Sequence, residues 1–171
     1  SDAAVQSYDE GAQNYQNGWK DADFAAAIKS LDQAIELDPS IVDAHYVRGL
    51  SHLELNNLKA AIQDFSRAIE LQGHYLHYCS RGQAWHASGD YDKAIADFNK
   101  SIALESNAVV SYHGRAIANY DRGNYKAAQA DLEKATIVAR PHDIPVDYVY
   151  GAKDSLAWFL ATCREPKLRD G

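Results

Sequence analysis

Residues 75–106 contain two short stretches in which apolar positions recur at helical spacing. In the first stretch, Tyr78, Gly82 and Trp85 stand four and three positions apart, so a helix would place them on one face. After a turn at residues 88–90, the second stretch repeats this spacing at Tyr91, Ala94, Phe98, Ser101 and Ile102. The pattern predicts two amphipathic helices that cannot bury both apolar faces alone, and therefore need neighbours.

The same pattern recurs four times along the chain. The residue that opens the second helix recurs at steps of 34, 33 and 34, as Phe24, Leu58, Tyr91 and Tyr125. The first helices align at Tyr8, His45, Tyr78 and Tyr112, with a first step of 37 that places three extra residues in the first hairpin. We therefore predict that residues 1–140 form four repeated helix pairs, at about 5–40, 42–74, 75–108 and 109–142.

These repeats resemble the tetratricopeptide repeat (TPR), whose signature is W-x2-L-G-x2-Y, then A-x3-F, then Pro. The third copy has Tyr78-x2-Arg81-Gly82-x2-Trp85 followed by Ala94-x3-Phe98, and the first copy ends in the proline of Leu37-Asp38-Pro39. The resemblance implies an all-α fold, a right-handed TPR superhelix (an α-solenoid of antiparallel helix pairs) whose concave groove is lined by the first helices. It also implies a non-enzymatic scaffold for protein–protein interaction.

The pattern changes after residue 140. We predict that residues 143–171 form a linker and a C-terminal capping helix or partial fifth repeat, which faces the fourth repeat through Ala152, Leu156, Phe159 and Leu160. The segment SLAWFLATCREPKLRDG resembles one common in bacterial TPR proteins, where a further helix usually follows. That resemblance, together with the missing initiator methionine, predicts a piece of a longer chain.

The charge of the chain narrows the kinds of partner. It has 171 residues, a net charge of −7 and a pI near 5.4, which argues against nucleic acid or an anionic membrane as the main partner. No apolar run is long enough to cross a bilayer. We expect a soluble protein, cytoplasmic or periplasmic, and the two cysteines lack the spacing that would decide the compartment.

Each first helix carries a second face, one residue beyond its core face, that the resemblance assigns to the groove. This face is apolar and aromatic in the middle and C-terminal repeats, which favours a partner presenting an apolar peptide or helix. The alternative is that its aliphatic side chains pack between helices or lie under the C-terminal helix. The predicted groove residues are Tyr46, Leu50, Leu53, Leu76, Gln83, His86, Val110, His113, Ile117 and Tyr120.

Chaperone-binding members of the family hold a peptide's C-terminal carboxylate between Lys, Asn and Arg of consecutive first helices. The matching positions in repeats one to three are Asp9, Gln13, Val47, Leu76 and Ser80. In repeats two to four they are Tyr46, Leu50, Ser80, Val110 and Gly114. Neither set contains a cation, so we predict a groove without a carboxylate clamp.

Arginine and aspartate vary together among the repeats. Arg48, Arg81 and Arg115 occupy a position that is usually aliphatic in the family, and each is followed sixteen residues later by an aspartate, as Asp64, Asp97 and Asp131. Repeat one has Gly11 and Ser30 at these places. We predict structural ion pairs between neighbouring helices in repeats two to four. The alternative is that the arginines bind an anion.

Catalytic and metal-binding patterns are weak. His74, His77 and Cys79 lie close together in the sequence, but no carboxylate or fourth ligand accompanies them at a useful spacing. No Ser/His/Asp arrangement or phosphate-binding loop is evident. We therefore expect no metal, no cofactor and no enzymatic activity. The alternatives are a self-associating structural module, hence a homo-oligomer, or an accessory domain of a longer enzyme or sensor.

Overall fold

The computed structural model describes residues 1–18 and 20–138. This part of the chain forms eight α-helices and no strand, which confirms the predicted all-α class. The predicted linker and capping helix at 143–171 lie outside the described residues, and the division of the chain into domains remains a prediction. The helices are α1 (Asp2–Gln16), α2 (Asp21–Leu37), α3 (Val42–Glu54), α4 (Leu58–Leu71), α5 (Tyr75–Ala87), α6 (Tyr91–Leu104), α7 (Val109–Asp121) and α8 (Tyr125–Val138).

The turns between paired helices follow from local sequence. Gly89 and Gly123 have φ angles of +83° and +87°, a conformation that costs glycine little and ends α5 and α7. Immediately after the first of these turns, the side chain of Asp90 accepts a hydrogen bond from the backbone N–H of Lys93 and caps α6. Short turns of this kind make each second helix fold back against the first.

The helices stack in chain order. Each first helix packs on its own second helix, and each second helix packs on the first helix of the next repeat. The first helices α1, α3, α5 and α7 also contact one another in succession. Because neighbouring elements lie closest on the inner side of a curved stack, the first helices form the concave face of an α-solenoid.

Large side chains facing small ones let the helices approach closely. Phe98 of α6 is 1% exposed and lies between Gly82 of α5 and Gly114 of α7. A Cβ atom at Gly82 would be 3.0 Å from the Phe98 ring, and one at Gly114 would be 2.5 Å from it. The ring therefore occupies the space that two side chains would need, and it joins the third repeat to the fourth.

No helix in the described part of the chain combines the length and the hydropathy that a membrane span requires.

Candidate functional site: the concave groove and the arginine clusters

Two aliphatic side chains of the first helices are exposed on the predicted groove face. Leu76 opens α5 and is 39% exposed, and Ile117 lies in the middle of α7 and is 40% exposed. Gln83, on the same helix as Leu76, is half-buried. Exposed aliphatic groups gain free energy when a partner covers them, so these two positions can act as apolar anchors.

Tyr46 is partly buried at the junction of α3 and α5. Its hydroxyl lies 3.2 Å from Oγ of Ser80, and its ring centroid lies 4.9 Å from that of His77. Burial raises the pKa of Tyr46, with the Ser80 hydrogen bond acting in the opposite direction. Tyr46 therefore links two repeats and presents only part of its ring to the groove.

Three other aliphatic residues of the predicted groove pack within the solenoid. Leu50 and Leu53 are partly buried against the cluster of Ala61, Phe65 and Ala84. Val110 is partly buried against the cluster around Phe98. These contacts correspond to the alternative stated above, in which aliphatic side chains of this face pack between neighbouring helices.

The polar and aromatic side chains predicted for the groove make contacts both between repeats and within one repeat. His86 Nε2 of α5 lies 2.7 Å from Oδ2 of Asp121 at the end of α7. The Tyr120 ring packs 5.4 Å from Tyr125, centroid to centroid. His113 is half-buried, and burial lowers its pKa, so this imidazole is neutral at neutral pH.

On the side of the first helices that faces their own second helices, each repeat from the second to the fourth contains an arginine paired with an aspartate. Arg48 donates from Nε and Nη2 to both carboxylate oxygens of Asp64, at 2.9 and 2.6 Å. Arg81 does the same to Asp97, at 2.7 and 2.8 Å. Arg115 binds both oxygens of Asp131 in the same way. Parallel bidentate bonds are the strongest geometry available to this pair of groups.

The aspartates of these pairs are the more buried partners. Their side chains are 7%, 9% and 9% exposed, whereas those of the arginines are 20–22% exposed. The guanidinium groups of Arg81 and Arg115 also lie over the rings of Tyr78 and Tyr112, at 5.8 and 5.5 Å from the centroids. These carboxylates therefore depend on their arginines for compensation of charge.

Each arginine makes a further contact that the sequence pattern did not predict. Its Nη1 atom donates to the second helix of the preceding repeat, from Arg48 to Asp32 at 2.6 Å and from Arg81 to Ser66 at 3.0 Å. Arg115 bonds to Asn99 in the same way. We call the three sets Asp32–Arg48–Asp64, Ser66–Arg81–Asp97 and Asn99–Arg115–Asp131 the arginine clusters. A polar residue fifteen or sixteen positions before each arginine was the available sequence signal.

The residues considered for a metal have other roles. His77 Nδ1 lies 2.8 Å from the carbonyl oxygen of Gln72, and His74 caps α5 by accepting a hydrogen bond from the N–H of Leu76. Burial raises the pKa of the Cys79 thiol, and this residue packs in the cluster around Phe98. Within residues 1–18 and 20–138, no three His, Cys, Asp or Glu side chains are grouped as metal ligands would be.

The fold and groove define a helical-repeat solenoid, a class built of stacked units that each contact only their neighbours. Two models described as tetratricopeptide repeat match residues 19–75 and residues 78–108, together about half of the chain. The chain therefore belongs to the tetratricopeptide repeat family, as its sequence pattern predicted.

Similar curated proteins occur in organisms as different as Methanocaldococcus jannaschii and human. The TPR repeat-containing protein MJ1428 of Methanocaldococcus jannaschii is 24% identical over 115 residues, which cover 67% of this chain and 20% of that protein. Human tetratricopeptide repeat protein 6 is 29% identical over 117 residues, covering 66% and 22% of the two chains. The chain thus spans about a fifth of the length of these relatives.

Solved structures share the fold. MamA residues 41 to the end, from Desulfovibrio magneticus RS-1, superimpose with a TM-score of 0.74 at 18% identity, covering 82% of this chain and 78% of that one. The Arabidopsis OM64 TPR domain gives a TM-score of 0.59 at 21% identity, covering 68% and 94%. Likeness at these identities concerns the fold.

Proposed function

We propose that the chain is a non-enzymatic protein-interaction scaffold that binds a peptide or helix in its concave groove without a carboxylate clamp. The observation that supports this function is the exposure of Leu76 and Ile117 on first helices, where a folded monomer gains nothing from leaving them uncovered. A peptide lying across α5 and α7 would cover both side chains. Gln83 would supply hydrogen bonds to it, since an extended or helical ligand presents polar groups between its apolar anchors.

Charge disfavours a carboxylate as the ligand. The clamp positions of the first three repeats hold Asp9, Gln13, Val47, Leu76 and Ser80, and none is a cation. The arginines of α3, α5 and α7 are already bonded to aspartates in the arginine clusters. A peptide terminus bearing a carboxylate would lose its hydration in this groove without gaining a counter-charge.

The test is an affinity capture from a cell lysate with three versions of the chain as bait. The groove variant carries Leu76→Ser and Ile117→Ser. The matched control carries Leu37→Ser and Leu104→Ser, because these leucines are each 53% exposed but belong to second helices. Circular dichroism establishes that all three baits are folded. Leu50 is unsuitable for this purpose because it packs against the Phe65 cluster.

The proposed function predicts a protein that wild type and control retain and the groove variant loses. Equal retention by all three baits would contradict a concave binding site. If wild type captures nothing, and light scattering shows a mass that rises with concentration, self-association replaces peptide capture as the function. A mass that stays monomeric excludes that alternative.

A further inference from the structure

The charged residues of the described chain are divided between the two kinds of helix. Every described lysine lies on a second helix or at its N-cap, from Lys20 to Lys134. The first helices contain three arginines, and each is bonded to an aspartate of its own second helix. The carboxylates of the first helices are Asp2, Asp9, Glu10, Asp43, Glu54 and Asp121. Asp121 contacts His86 of α5, whereas the other five carboxylates form no ion pair with a described residue of the first helices.

Helical spacing places two of these carboxylates on the groove face: Asp9 holds a clamp position of α1, and Asp43 stands three positions before Tyr46 and seven before Leu50 on α3. Asp9 and Asp43 are exposed, and neither forms an ion pair with another residue in the described ranges. Both act on the Tyr8 hydroxyl, whose pKa is raised by burial first and then by the negative charges of Asp43 and Asp9. The two carboxylates, on α1 and α3, therefore both lie near the Tyr8 hydroxyl, and α1 and α3 are in contact.

The negative charge of Asp43 affects the pKa values of residues in the second and third repeats. Its charge raises the pKa of Tyr46 on α3, where burial is the largest cause of the upward shift. It also opposes the lowering of the His77 pKa on α5, which burial produces. Asp43 thus acts on side chains of α1, α3 and α5, and α3 contacts both of the other two helices.

The exposed aliphatic side chains lie in the third and fourth repeats. Leu76 begins α5 and Ile117 lies on α7, so the surface passes from carboxylates to exposed aliphatic groups along the stack. A ligand that complements this order carries cations toward one end and apolar side chains toward the other. Opposite charge accelerates encounter and fixes orientation, whereas apolar contact supplies most of the affinity.

We propose that the occupant of the groove is a cationic amphipathic peptide segment, with Lys or Arg near Asp9 and Asp43 and apolar side chains on Leu76 and Ile117. This proposal rests on the proposed function and specifies the chemical class of its partner. An acidic peptide would face like charge at the N-terminal repeats, and a neutral apolar peptide would leave both carboxylates without a partner.

The test uses defined peptides and fluorescence anisotropy on the full chain. The probe is a labelled peptide of about 15 residues with Leu at helical i, i+3, i+4 and i+7 positions and Lys at the remaining ones. Two matched peptides replace every Lys by Gln or by Glu. We expect the Lys peptide to bind at least about fivefold more tightly than the Gln peptide, since each cation–carboxylate contact at a surface contributes modestly. The Glu peptide should bind weakest.

Two double variants distinguish binding of the Lys peptide at Asp9 and Asp43 from its nonspecific attraction to a negatively charged protein. Asp9→Asn with Asp43→Asn should raise the Kd of the Lys peptide about fivefold, and should leave the Kd of the Gln peptide within about twofold of wild type. The control, Glu36→Gln with Glu133→Gln, removes the same charge from exposed positions on α2 and α8 and should leave the Kd within about twofold. Equal weakening of the Lys peptide by both pairs would overturn the proposal.

The two proposals fail in different ways. If the groove variant Leu76→Ser with Ile117→Ser loses a captured protein but the Lys peptide binds no better than the Gln or Glu peptide, the groove binds a partner that is not cationic. In that case the proposed function stands and the inference about charge is wrong. If the Lys peptide binds all forms of the chain equally, and the Leu76→Ser with Ile117→Ser variant also retains the captured protein, both proposals are contradicted.

Discussion

The solenoid contains two kinds of carboxylate: buried ones that are paired with arginine, and exposed ones that have no ion-pair partner among the described residues. In the arginine clusters, Asp64, Asp97 and Asp131 are nearly buried, and each accepts two hydrogen bonds from an arginine. On the first helices α1 and α3, which line the concave face, Asp9 and Asp43 are exposed and have no ion-pair partner among the described residues. A carboxylate therefore stabilises this fold where an arginine compensates its charge, and remains available to a partner where no cation does.

The largest expected effect comes from breaking an arginine cluster. Arg81→Leu leaves Asp97 nearly buried without its cation, so we expect the free energy of unfolding to fall by about 3 kcal/mol. Urea denaturation followed by circular dichroism measures the change. Arg67→Leu is the matched control, because Arg67 pairs with Glu70 at an exposed site and its loss should cost less than about 0.5 kcal/mol. An Arg81→Leu protein as stable as wild type would show that the pair is not needed for the fold.

Removing both charges of the same pair should cost less than removing one. The double variant Arg81→Leu with Asp97→Leu leaves no uncompensated charge, and we expect it to recover stability to within about 1–2 kcal/mol of wild type. The same denaturation experiment applies. If the double variant is less stable than Arg81→Leu alone, the cost of the single substitution does not come from the isolated carboxylate.

Buried and half-buried histidines of the first helices should make stability depend on pH. Burial lowers the pKa values of His52, His77 and His113 in the folded chain. Between the lowered folded pKa and the unfolded value near 6.5, the unfolded chain binds more protons. The contribution of these groups is therefore complete above the unfolded pKa and is lost as pH falls through the folded pKa. We expect a lower melting temperature at about pH 5.5 than at about pH 7.5.

His77→Gln is the variant that sharpens this prediction. Its amide can still donate to the Gln72 carbonyl, which lies 2.8 Å from His77 Nδ1, but it does not titrate. The groups whose charges act on His77 are His74, which lowers its pKa, and Asp43, which raises it. The decrease in melting temperature on acidification should be smaller in His77→Gln than in wild type. An equal decrease would assign the pH dependence to other groups.

The smallest effect on stability is expected at the concave carboxylates. Asp9→Asn with Asp43→Asn should change the free energy of unfolding by less than about 0.5 kcal/mol, because both side chains are exposed and have no ion-pair partner in the described chain. Asp97→Asn, which weakens the bidentate bonds to Arg81, serves as the comparison and should cost more than about 1 kcal/mol. Equal losses in the two variants would remove the distinction between the two faces.

Periodic features of the chain could be predicted from its sequence, whereas contacts between repeats could not. The spacing of Tyr78, Gly82 and Phe98 predicts two helices in close contact, because helical geometry repeats every 3.6 residues. The constant separation of sixteen residues between Arg81 and Asp97 predicts that a helix pair brings them together, and the structure contains this contact.

Helical spacing assigns a residue to a face but does not give the angle between neighbouring helices. Leu50, Leu53 and Val110 share a face with Ile117, yet they pack against adjacent helices, and Ile117 is exposed. The contact between His86 and Asp121 joins residues thirty-five positions apart, and no single repeat predicts it. Such contacts depend on how one repeat rotates against the next.

The most direct test of the two-face account is an NMR titration of the isotope-labelled chain with the unlabelled Lys peptide. We expect backbone amide shifts to change mainly on the first helices, around Asp9 and Asp43 and between Leu76 and Ile117. Amides near Asp64, Asp97 and Asp131 should change little, because the arginine clusters are already satisfied. Shift changes concentrated on the second helices or at the arginine clusters would contradict the account.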